Sequence, residues 1–250
     1  MLFYRLVPGR GLPIVFLNSL GTDLRIWDQV AARLDTDTPV LLIDKRGHGL
    51  SEDVSITMTR LVEDVADVMI QLNLAKALIC GVSVGGMIAQ GLAARRPELV
   101  SGLVLCNTAA KIGAASDWNA RITTVDQSGL ASVADAILER WFSARFRTRE
   151  PVAVLGYRTM LEQTSVPGYV GVCAAIRDSD LTQTTRKLEV PTLCIAGSDD
   201  LATPPELVQA LCDLIPNATI DVMQDVGHLP CIEAPEDVAA KLRQLHDVMS

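Results

Sequence analysis

The sequence predicts an α/β fold, namely a doubly wound, mostly parallel sheet with a helical cap inserted into it. Three observations lead to this prediction. Short apolar, β-rich runs alternate with segments of helical spacing along most of the 250 residues, which is typical of parallel sheets packed between helices. Hydrophobic residues make up 49% of the chain but aromatic residues only 4%, as expected for an aliphatic core of buried parallel strands. One stretch, residues 110–187, breaks the alternation and carries no strand pattern of comparable strength.

The predicted elements follow one another in a regular order. Strands are expected at residues 14–17, 40–44, 77–80, 103–106, 191–196 and 219–223, where apolar and β-branched residues cluster. Helices are expected at residues 27–34, 61–72, 87–94, 205–214 and 235–248. In the second of these helices Leu61, Val65 and Val68 recur at helical spacing, and proline stands at the start of the last two.

The predicted cap, residues 111–187, is inserted between the two parts of the core, residues 1–110 and 188–250. Six of the ten aromatic residues of the chain fall within it, namely Trp118, Trp141, Phe142, Phe146, Tyr157 and Tyr169. Ligand sites in open α/β sheets lie at the carboxyl ends of the strands, so we expect the cap to cover that edge. Most of these aromatic residues are expected to form the core of the cap, and one or two to face the cleft.

The first candidate for a catalytic residue is Ser83, in the sequence GVSVGG at residues 81–86. It follows a buried strand and begins a helix, and so tight a corner forces its central residue into a strained backbone conformation. Glycines two residues before and after it remove Cβ atoms that would collide there. The corner is expected to expose the serine hydroxyl and to turn the Val84 amide, one candidate oxyanion donor, into the same space. The alternative is an incidental serine in a glycine-rich turn.

An acid and a histidine follow in the order Ser, Asp, His, each after a predicted strand. A serine hydroxyl needs a neutral imidazole to take its proton, and a carboxylate to orient that imidazole and stabilise its charged form. His228 is predicted to be the base, because His48 lies in a turn suited to a structural hydrogen bond and His246 in a polar, solvent-exposed helix. Asp199 and Asp200 are both candidate acids, but side chains leaving a strand alternate in direction, so only one is expected to reach the histidine.

A second oxyanion donor is expected from the loop that follows the strand at residues 14–17. That loop reads NSLGTD at residues 18–23, and the amide of Leu20 is the predicted donor. Two backbone amides aimed at a developing oxyanion contribute about 3–4 kcal/mol each, by comparison with the removal of one such donor elsewhere.

Charge and cysteine usage exclude several other classes of function. The formal net charge of −8 argues against binding to nucleic acids or anionic membranes, which need basic patches, and leaves a small molecule as the expected partner. The six cysteines show no Cys-x-x-Cys pairing and read as reduced core residues of a cytoplasmic protein. With three histidines and scattered cysteines, no metal site is expected. No secretory signal is visible, and the apolar window at residues 77–94 contains four glycines, which favours a strand-turn-helix over a membrane span.

The sequence resembles the α/β-hydrolases along its whole length. The motifs that carry this resemblance are DKRGHGLS at residues 44–51, the serine corner at 81–86, GSDD at 197–200 and GH at 227–228. Within that superfamily the chain is similar to the 3-oxoadipate enol-lactonases, and the similar blocks are residues 18–23, 105–113, 118–122, 139–142, 173–178 and 202–205. Two features depart from the family: valines flank Ser83 where leucine and methionine are usual, and the chain begins at what corresponds to the family's second strand.

This resemblance implies a serine hydrolase that opens 3-oxoadipate enol-lactone, a small lactone with a carboxylate arm, without a cofactor. Asp200 stands where the family places its acid. In a chain of negative net charge the carboxylate arm requires a local cation, and Arg177 is the predicted partner, with Trp141 as a wall against the planar ring. The alternative for Arg177 is a structural bridge to Asp178 or Asp180.

Other functions are compatible with the same scaffold. They are a general carboxylesterase or lactonase, a carbon–carbon hydrolase, a perhydrolase, and a ligand receptor that keeps the three residues but turns over very slowly. Dehalogenases and epoxide hydrolases of this fold use an aspartate nucleophile, so Ser83 argues against both. Multiple turnover separates an enzyme from a receptor, and a panel of lactones and aryl esters separates the enzymes.

Overall fold

The computed structural model describes residues 1–249, whose strands form a single seven-stranded sheet. The strands are β1 (Tyr4–Val7), β2 (Ile14–Leu17), β3 (Val40–Ile43), β4 (Ala77–Val82), β5 (Val100–Cys106), β6 (Thr192–Gly197) and β7 (Thr219–Met223). They lie side by side in the order β1-β3-β2-β4-β5-β6-β7, with β1 antiparallel to β3 and all other neighbouring pairs parallel. The predicted mostly parallel α/β sheet is therefore confirmed.

Helices connect the strands and build the insertion. They are α1 (Asp28–Ala31), α2 (Met58–Gln71), α3 (Val84–Arg95), α4 (Ala115–Ser128), α5 (Ala134–Trp141), α6 (Ala144–Arg149), α7 (Pro151–Glu162), α8 (Val166–Arg177), α9 (Thr182–Thr185), α10 (Pro205–Leu214), α11 (Pro230–Glu233) and α12 (Pro235–Met249). Short 3-10 helices lie at Leu24–Trp27, Pro97–Leu99 and Leu130–Ser132. Helices α4 to α9 all fall between β5 and β6, where the cap is predicted. Within the described chain, no helix combines the length and the apolar character that a membrane span requires.

Strand β1 was not predicted, and the six predicted strands differ from the observed β2 to β7 only at their ends. Two of them, β2 and β7, match residue for residue. The strand β5 begins at Val100, three residues before the predicted start, because its first residues pair with β4 across a register shift. The helix predicted at residues 27–34 is instead a 3-10 helix followed by the single-turn α1. The 3-10 helix begins at Leu24, before the predicted start, because the side chain of Asp23 caps it by accepting a hydrogen bond from the amide of Arg25.

The carboxyl edge of the parallel strands carries the candidate catalytic residues. Ser83 directly follows β4, Asn107 directly follows β5, Asp200 comes three residues after β6, and His228 lies in the loop after β7. Parallel strands end at the same edge of a sheet, so the fold brings these four positions together. The strands β2, β3 and β4 that lead to this edge are buried along their whole length.

Candidate active site

The backbone at Ser83 has the strained conformation expected of a nucleophile corner. Its φ of 59° and ψ of −123° lie outside the regions that a serine ordinarily adopts. A Cβ atom at Gly81 would lie 2.3 Å from the carbonyl oxygen of Gly85, and one at Gly85 would lie 2.3 Å from that of Leu17. Since real Cβ atoms do not approach so closely, both positions require glycine, as the sequence predicts.

Hydrogen bonds from the neighbouring strand end hold this corner in place. The Ser83 amide donates to the carbonyl oxygen of Cys106 at 3.0 Å. The hydroxyl of Thr108 donates to the carbonyl oxygen of Ser83 at 2.6 Å. Ser83 thus stands at the amino terminus of α3, with its backbone tied to the end of β5, where the positive end of the helix dipole favours developing negative charge.

The structure brings Asp200, and not Asp199, to the histidine. Oδ2 of Asp200 lies 2.8 Å from Nδ1 of His228, and both side chains are buried. The Asp200 carboxylate also accepts hydrogen bonds from the amides of Ala202 and Thr203, and from the Thr203 hydroxyl at 2.7 Å. Asp199 is exposed, and its carboxylate accepts a hydrogen bond from the hydroxyl of its neighbour Ser198. The carboxylate is therefore fixed in position to orient the imidazole.

Asn107 is a positioning residue that the sequence reasoning missed. Its side-chain oxygen accepts a hydrogen bond from the Gly197 amide, and its side-chain nitrogen donates to the Gly227 carbonyl oxygen, both at 2.8 Å. It is fully buried and has a φ of 43°, in the left-handed region. One carboxamide therefore joins the end of β6, which leads to Asp200, to the residue before His228. The available signal was a polar residue placed directly after an apolar strand.

Cap residues hold the loop that carries His228. The His228 amide donates to the carbonyl oxygen of Trp141 at 2.9 Å. The carboxylate of Glu233 accepts hydrogen bonds from the Gly227 amide at 3.1 Å and from both the amide and the hydroxyl of Ser143. Burial raises the pKa of Glu233, although the hydrogen bonds from Ser143 and Gly227 partly offset it. The position of the candidate base thus depends on the cap.

The two predicted oxyanion donors are free to bind a ligand. Neither the Leu20 amide nor the Val84 amide donates a hydrogen bond to another group within residues 1–249. The loop that carries Leu20 is tied to His48, whose Nε2 accepts a hydrogen bond from the Gly21 amide at 2.8 Å. Burial lowers the pKa of His48, so the neutral ring required for this acceptor role is favoured. His48 therefore has the structural role that its turn suggests.

A cavity of about 170 Å³ lies over Ser83 and under the cap. Leu20, Ser83 and His228 line its base, and three cap aromatic residues, Trp118, Trp141 and Tyr169, line its walls. The other three cap aromatic residues pack on one another, with the Phe142 ring 5.0 Å from the Phe146 ring and 5.5 Å from the Tyr157 ring between centroids. Three of the six cap aromatic residues therefore face the cleft, more than the one or two expected, and three rather than most of them pack in the cap.

Two arginines of the cap, Arg121 and Arg140, also line the cavity. Neither forms an ion pair with an acidic side chain of the described residues, although Asp117 lines the same cavity. The Arg121 guanidinium lies 5.3 Å from the Trp118 ring and interacts with the Tyr169 hydroxyl. Partial burial lowers the pKa of Arg140, and the charge of Arg121 lowers it further. The cavity therefore holds two neighbouring cations without a paired anion.

Arg177, in contrast, does not reach the cavity. Its guanidinium bonds the carboxylate of Asp178 twice, at 2.7 and 2.8 Å, and the side-chain oxygen of Asn119 at 2.9 Å. Ile176 lines the cavity instead, because successive residues of a helix point about 100° apart. The prediction that Arg177 binds the substrate is therefore corrected, and its position matches the alternative of a structural bridge to Asp178.

One histidine also differs from its expected environment. His246, predicted to be solvent-exposed, has a side chain only 14% exposed, and its Nε2 lies 2.8 Å from the carbonyl oxygen of Leu12. It packs against the start of the chain rather than pointing into solvent. Among residues 1–249 no group of three or more His, Cys, Asp or Glu side chains is arranged to hold a metal ion.

Comparison with known proteins agrees with this geometry. Residues 14–241 match the alpha/beta hydrolase family. The chain is 34% identical over 225 residues to 3-oxoadipate enol-lactonase 2 of Acinetobacter baylyi, covering 89% of this chain and 84% of that protein. It is 35% identical over 230 residues to 3-oxoadipate enol-lactonase 1 of the same organism, covering 92% and 86%. The crystal structure of the enol-lactonase from Burkholderia xenovorans LB400 matches with a TM-score of 0.94 and 36% identity, over 97% of this chain and 95% of the other.

This chain therefore belongs to the alpha/beta hydrolase family, as the resemblance of its motifs suggests. The similarity to enol-lactonases over most of the chain supports a hydrolase with activity on lactones or esters, a class of small-molecule substrate.

Proposed function

We propose that this chain opens the ring of 3-oxoadipate enol-lactone to give 3-oxoadipate, through an acyl-enzyme on Ser83. The observation that carries this proposal is the content of one cavity, in which Ser83 and His228 lie with Arg121 and Arg140. A lactone with a carboxylate arm presents a reactive carbonyl and an anion at the same time. The names of the related enol-lactonases of A. baylyi point to the same substrate.

The charge of the cavity supports an anionic substrate. The chain carries a net charge of −8, so the protein as a whole repels anions. Arg121 and Arg140 supply positive charge inside the cavity. A bound carboxylate would relieve the repulsion between these two unpaired guanidinium groups. Planar guanidinium groups bind carboxylates with two parallel hydrogen bonds, which also orients the ligand. Trp141 lies on the cavity wall, where a flat five-membered ring would pack.

The proposed reaction begins when Oγ of Ser83 attacks the ring carbonyl carbon. Its proton passes to Nε2 of His228, whose Nδ1 keeps its own proton because that atom faces Asp200. The carbonyl oxygen becomes an oxyanion, which the amides of Leu20 and Val84 stabilise. When the tetrahedral intermediate collapses, the bond to the ring oxygen breaks and His228 returns the proton to that oxygen.

The leaving group stays attached to the acyl chain, so ring opening is reversible at this stage. The released oxygen belongs to an enol, which is a better leaving group than an alkoxide and rearranges to the ketone. Ketonisation removes the tethered nucleophile that would otherwise close the ring again. A water molecule, deprotonated by His228, then attacks the ester carbon. The bond to Oγ of Ser83 breaks, His228 returns the proton to that oxygen, and 3-oxoadipate is released.

A direct test compares two lactones with the same ring. One is 3-oxoadipate enol-lactone, and the other carries a methyl group in place of the acetate arm. Loss of ultraviolet absorbance of the enol ester follows both reactions, and the Ser83→Ala variant corrects for spontaneous hydrolysis. We expect kcat/KM to be higher for the acid by about 100-fold or more, because the unpaired arginines gain a partner only from the carboxylate.

Equal kcat/KM for the two lactones would contradict the proposed substrate and favour a general carboxylesterase or lactonase. Turnover that stops after one equivalent of product would instead favour a receptor. Cleavage of a carbon–carbon bond in a β-diketone at a higher kcat/KM than either lactone would favour a carbon–carbon hydrolase.

A further inference from the structure

A buried lysine lies beneath the loop that carries Leu20. Lys45 follows β3 and Asp44, and only 5% of its surface is exposed. Its Nζ donates to the carbonyl oxygen of Ser19, to the carbonyl oxygen of Thr22 at 3.0 Å, and to the side-chain oxygen of Asn18 at 3.1 Å. All three acceptors belong to the loop at residues 18–22. The side chain thus acts as an internal support for that loop and touches none of the reacting groups.

One of these hydrogen bonds acts on the peptide unit that supplies the oxyanion donor. The carbonyl of Ser19 and the amide of Leu20 belong to the same peptide group. In a planar trans peptide the C=O and N–H bonds point in opposite directions. A cation that binds the Ser19 oxygen therefore fixes the direction of the Leu20 N–H, and it also withdraws electrons from the peptide group and strengthens the N–H as a donor.

We propose that Lys45 is a positioning residue that orients and polarises the Ser19–Leu20 peptide, so that the Leu20 amide stabilises the oxyanion of the transition state. The inference rests on the proposed acyl-transfer function of Ser83. The three acceptors require the ammonium form, since a neutral amine has two N–H bonds and would leave one acceptor without a donor. The charge of Lys45 is therefore part of the oxyanion hole, although Lys45 lies outside the cavity.

The ammonium is kept in an environment where its charge is sensitive to pH. Burial lowers the pKa of Lys45 to about 7, against the opposing effect of the carboxylates of Asp44 and Asp23. Asp44 is itself held by the amides of Leu24 and Leu50, and Asp23 is paired with Arg25. The other titratable group facing Lys45 is His48, whose pKa is lowered by burial and by the charge of Lys45, so that it stays neutral. Lys45 is therefore charged at mildly acidic pH and loses its charge as the pH rises.

The test measures hydrolysis of a neutral aryl acetate by the wild-type protein and by Lys45→Met as a function of pH. At about pH 5.5, where the lysine is charged, we expect kcat of the variant to be lower by about 10- to 100-fold with little change in KM, since one oxyanion donor is weakened. At about pH 8.5 the wild-type lysine has lost its charge but keeps two N–H bonds to the loop, so the difference between the two kcat values should be smaller than at pH 5.5.

Two controls make the result specific. Lys76→Met removes an exposed lysine and should leave kcat at wild-type level at every pH. Lys45→Gln keeps a donor but not the charge, and provides a second variant should methionine lower the yield of folded protein. The affinity for a trifluoromethyl ketone, which forms an oxyanion on the serine, should fall with kcat in both Lys45 variants.

The outcomes separate this inference from the proposed substrate. A ratio of kcat values that stays constant across the pH range would overturn the role of Lys45, because a purely structural defect does not depend on the charge of the lysine. Unchanged binding of the trifluoromethyl ketone would overturn it as well. Failure to open 3-oxoadipate enol-lactone, with aryl acetate still hydrolysed, would contradict only the proposed substrate.

Discussion

The backbone amide of His228 donates a 2.9 Å hydrogen bond to the carbonyl oxygen of Trp141. The candidate base is thus held by the same cap residue whose ring lines the cavity. Glu233 reinforces this link, because its carboxylate joins the Gly227 amide to the backbone and side chain of Ser143. A change in cap position therefore moves the binding walls and the base together, which couples substrate fit to catalytic geometry.

Glu233 provides the test of this coupling. Glu233→Ala leaves the amides of Gly227 and Ser143 without their acceptor, so we expect the free energy of unfolding to fall by about 1–3 kcal/mol. We also expect kcat for an aryl ester to fall and the apparent pKa of its acidic limb to shift, because the loop of His228 loses its anchor. Glu233→Gln retains an oxygen acceptor and should stay close to wild type in kcat. Loss of stability in the alanine variant with an unchanged pH profile would argue against a positioning role.

The raised pKa of Glu233 also predicts a pH dependence of stability. Between the ordinary carboxyl pKa and the raised value, the folded state binds more protons than the unfolded state. The contribution of Glu233 to stability is therefore fully present below the ordinary pKa and is lost as pH rises through the raised one. Urea unfolding over this range should show that Glu233→Gln gains stability relative to wild type as the pH increases. A difference that does not vary with pH would show that this carboxyl titrates normally.

Ser83→Ala should abolish turnover and leave the fold intact. We expect kcat to fall on the order of 10⁴-fold or more, because only the oxyanion donors and substrate binding then contribute to catalysis. The alanine must still adopt the positive φ of this corner, so the unfolding temperature should change little. Purified protein that keeps a tenth of the wild-type activity would exclude Ser83 as the nucleophile.

Asp200 and Asp199 offer a matched pair of substitutions. Asn at position 200 leaves the hydrogen bonds from the Ala202 and Thr203 amides in place but favours the wrong tautomer of His228, so kcat should fall by about 10⁴-fold. Asn at position 199 removes a charge from an exposed side chain and should change kcat less than twofold. Steady-state kinetics on one ester compares both variants, and the reverse order would require a different acid.

Local patterns predicted the sheet and the candidate triad because both depend on neighbouring residues. Apolar runs identified the parallel strands, and the strained corner at Ser83 is dictated by the glycines around it. Topology then supplies the long-range step, since the carboxyl ends of β4, β6 and β7 meet at one edge. Asn107 and Lys45 were missed because their contacts join segments far apart in sequence, and a single polar residue after a strand does not specify its partner.

The orientation of cap residues depends on how the inserted helices pack, which local sequence does not determine. Arg177 and Arg121 both lie in blocks that resemble the enol-lactonases, yet only Arg121 faces the cavity. The guanidinium of Arg177 is instead paired with the Asp178 carboxylate and donates a hydrogen bond to the side-chain oxygen of Asn119. His246 shows the same difficulty, because a polar helix still packs one face against Leu12.

The last prediction concerns which arginine of the cap binds the carboxylate of the substrate. Arg140→Met should raise KM for 3-oxoadipate enol-lactone by about 10-fold or more, since a charge-assisted hydrogen bond to the carboxylate is lost. KM for the methyl-substituted lactone, which has no carboxylate, should stay within about twofold, and kcat should change little for either lactone. Arg121→Met should show the same selectivity, with an added loss of packing against Trp118.

Arg177→Met is the matched control, because it removes an arginine of the same cap whose guanidinium is already paired with Asp178. It should leave KM for both lactones at the wild-type value. A larger effect on the anionic lactone from Arg177→Met than from Arg140→Met would return the carboxylate to Arg177 and require the cap helices to move when substrate binds.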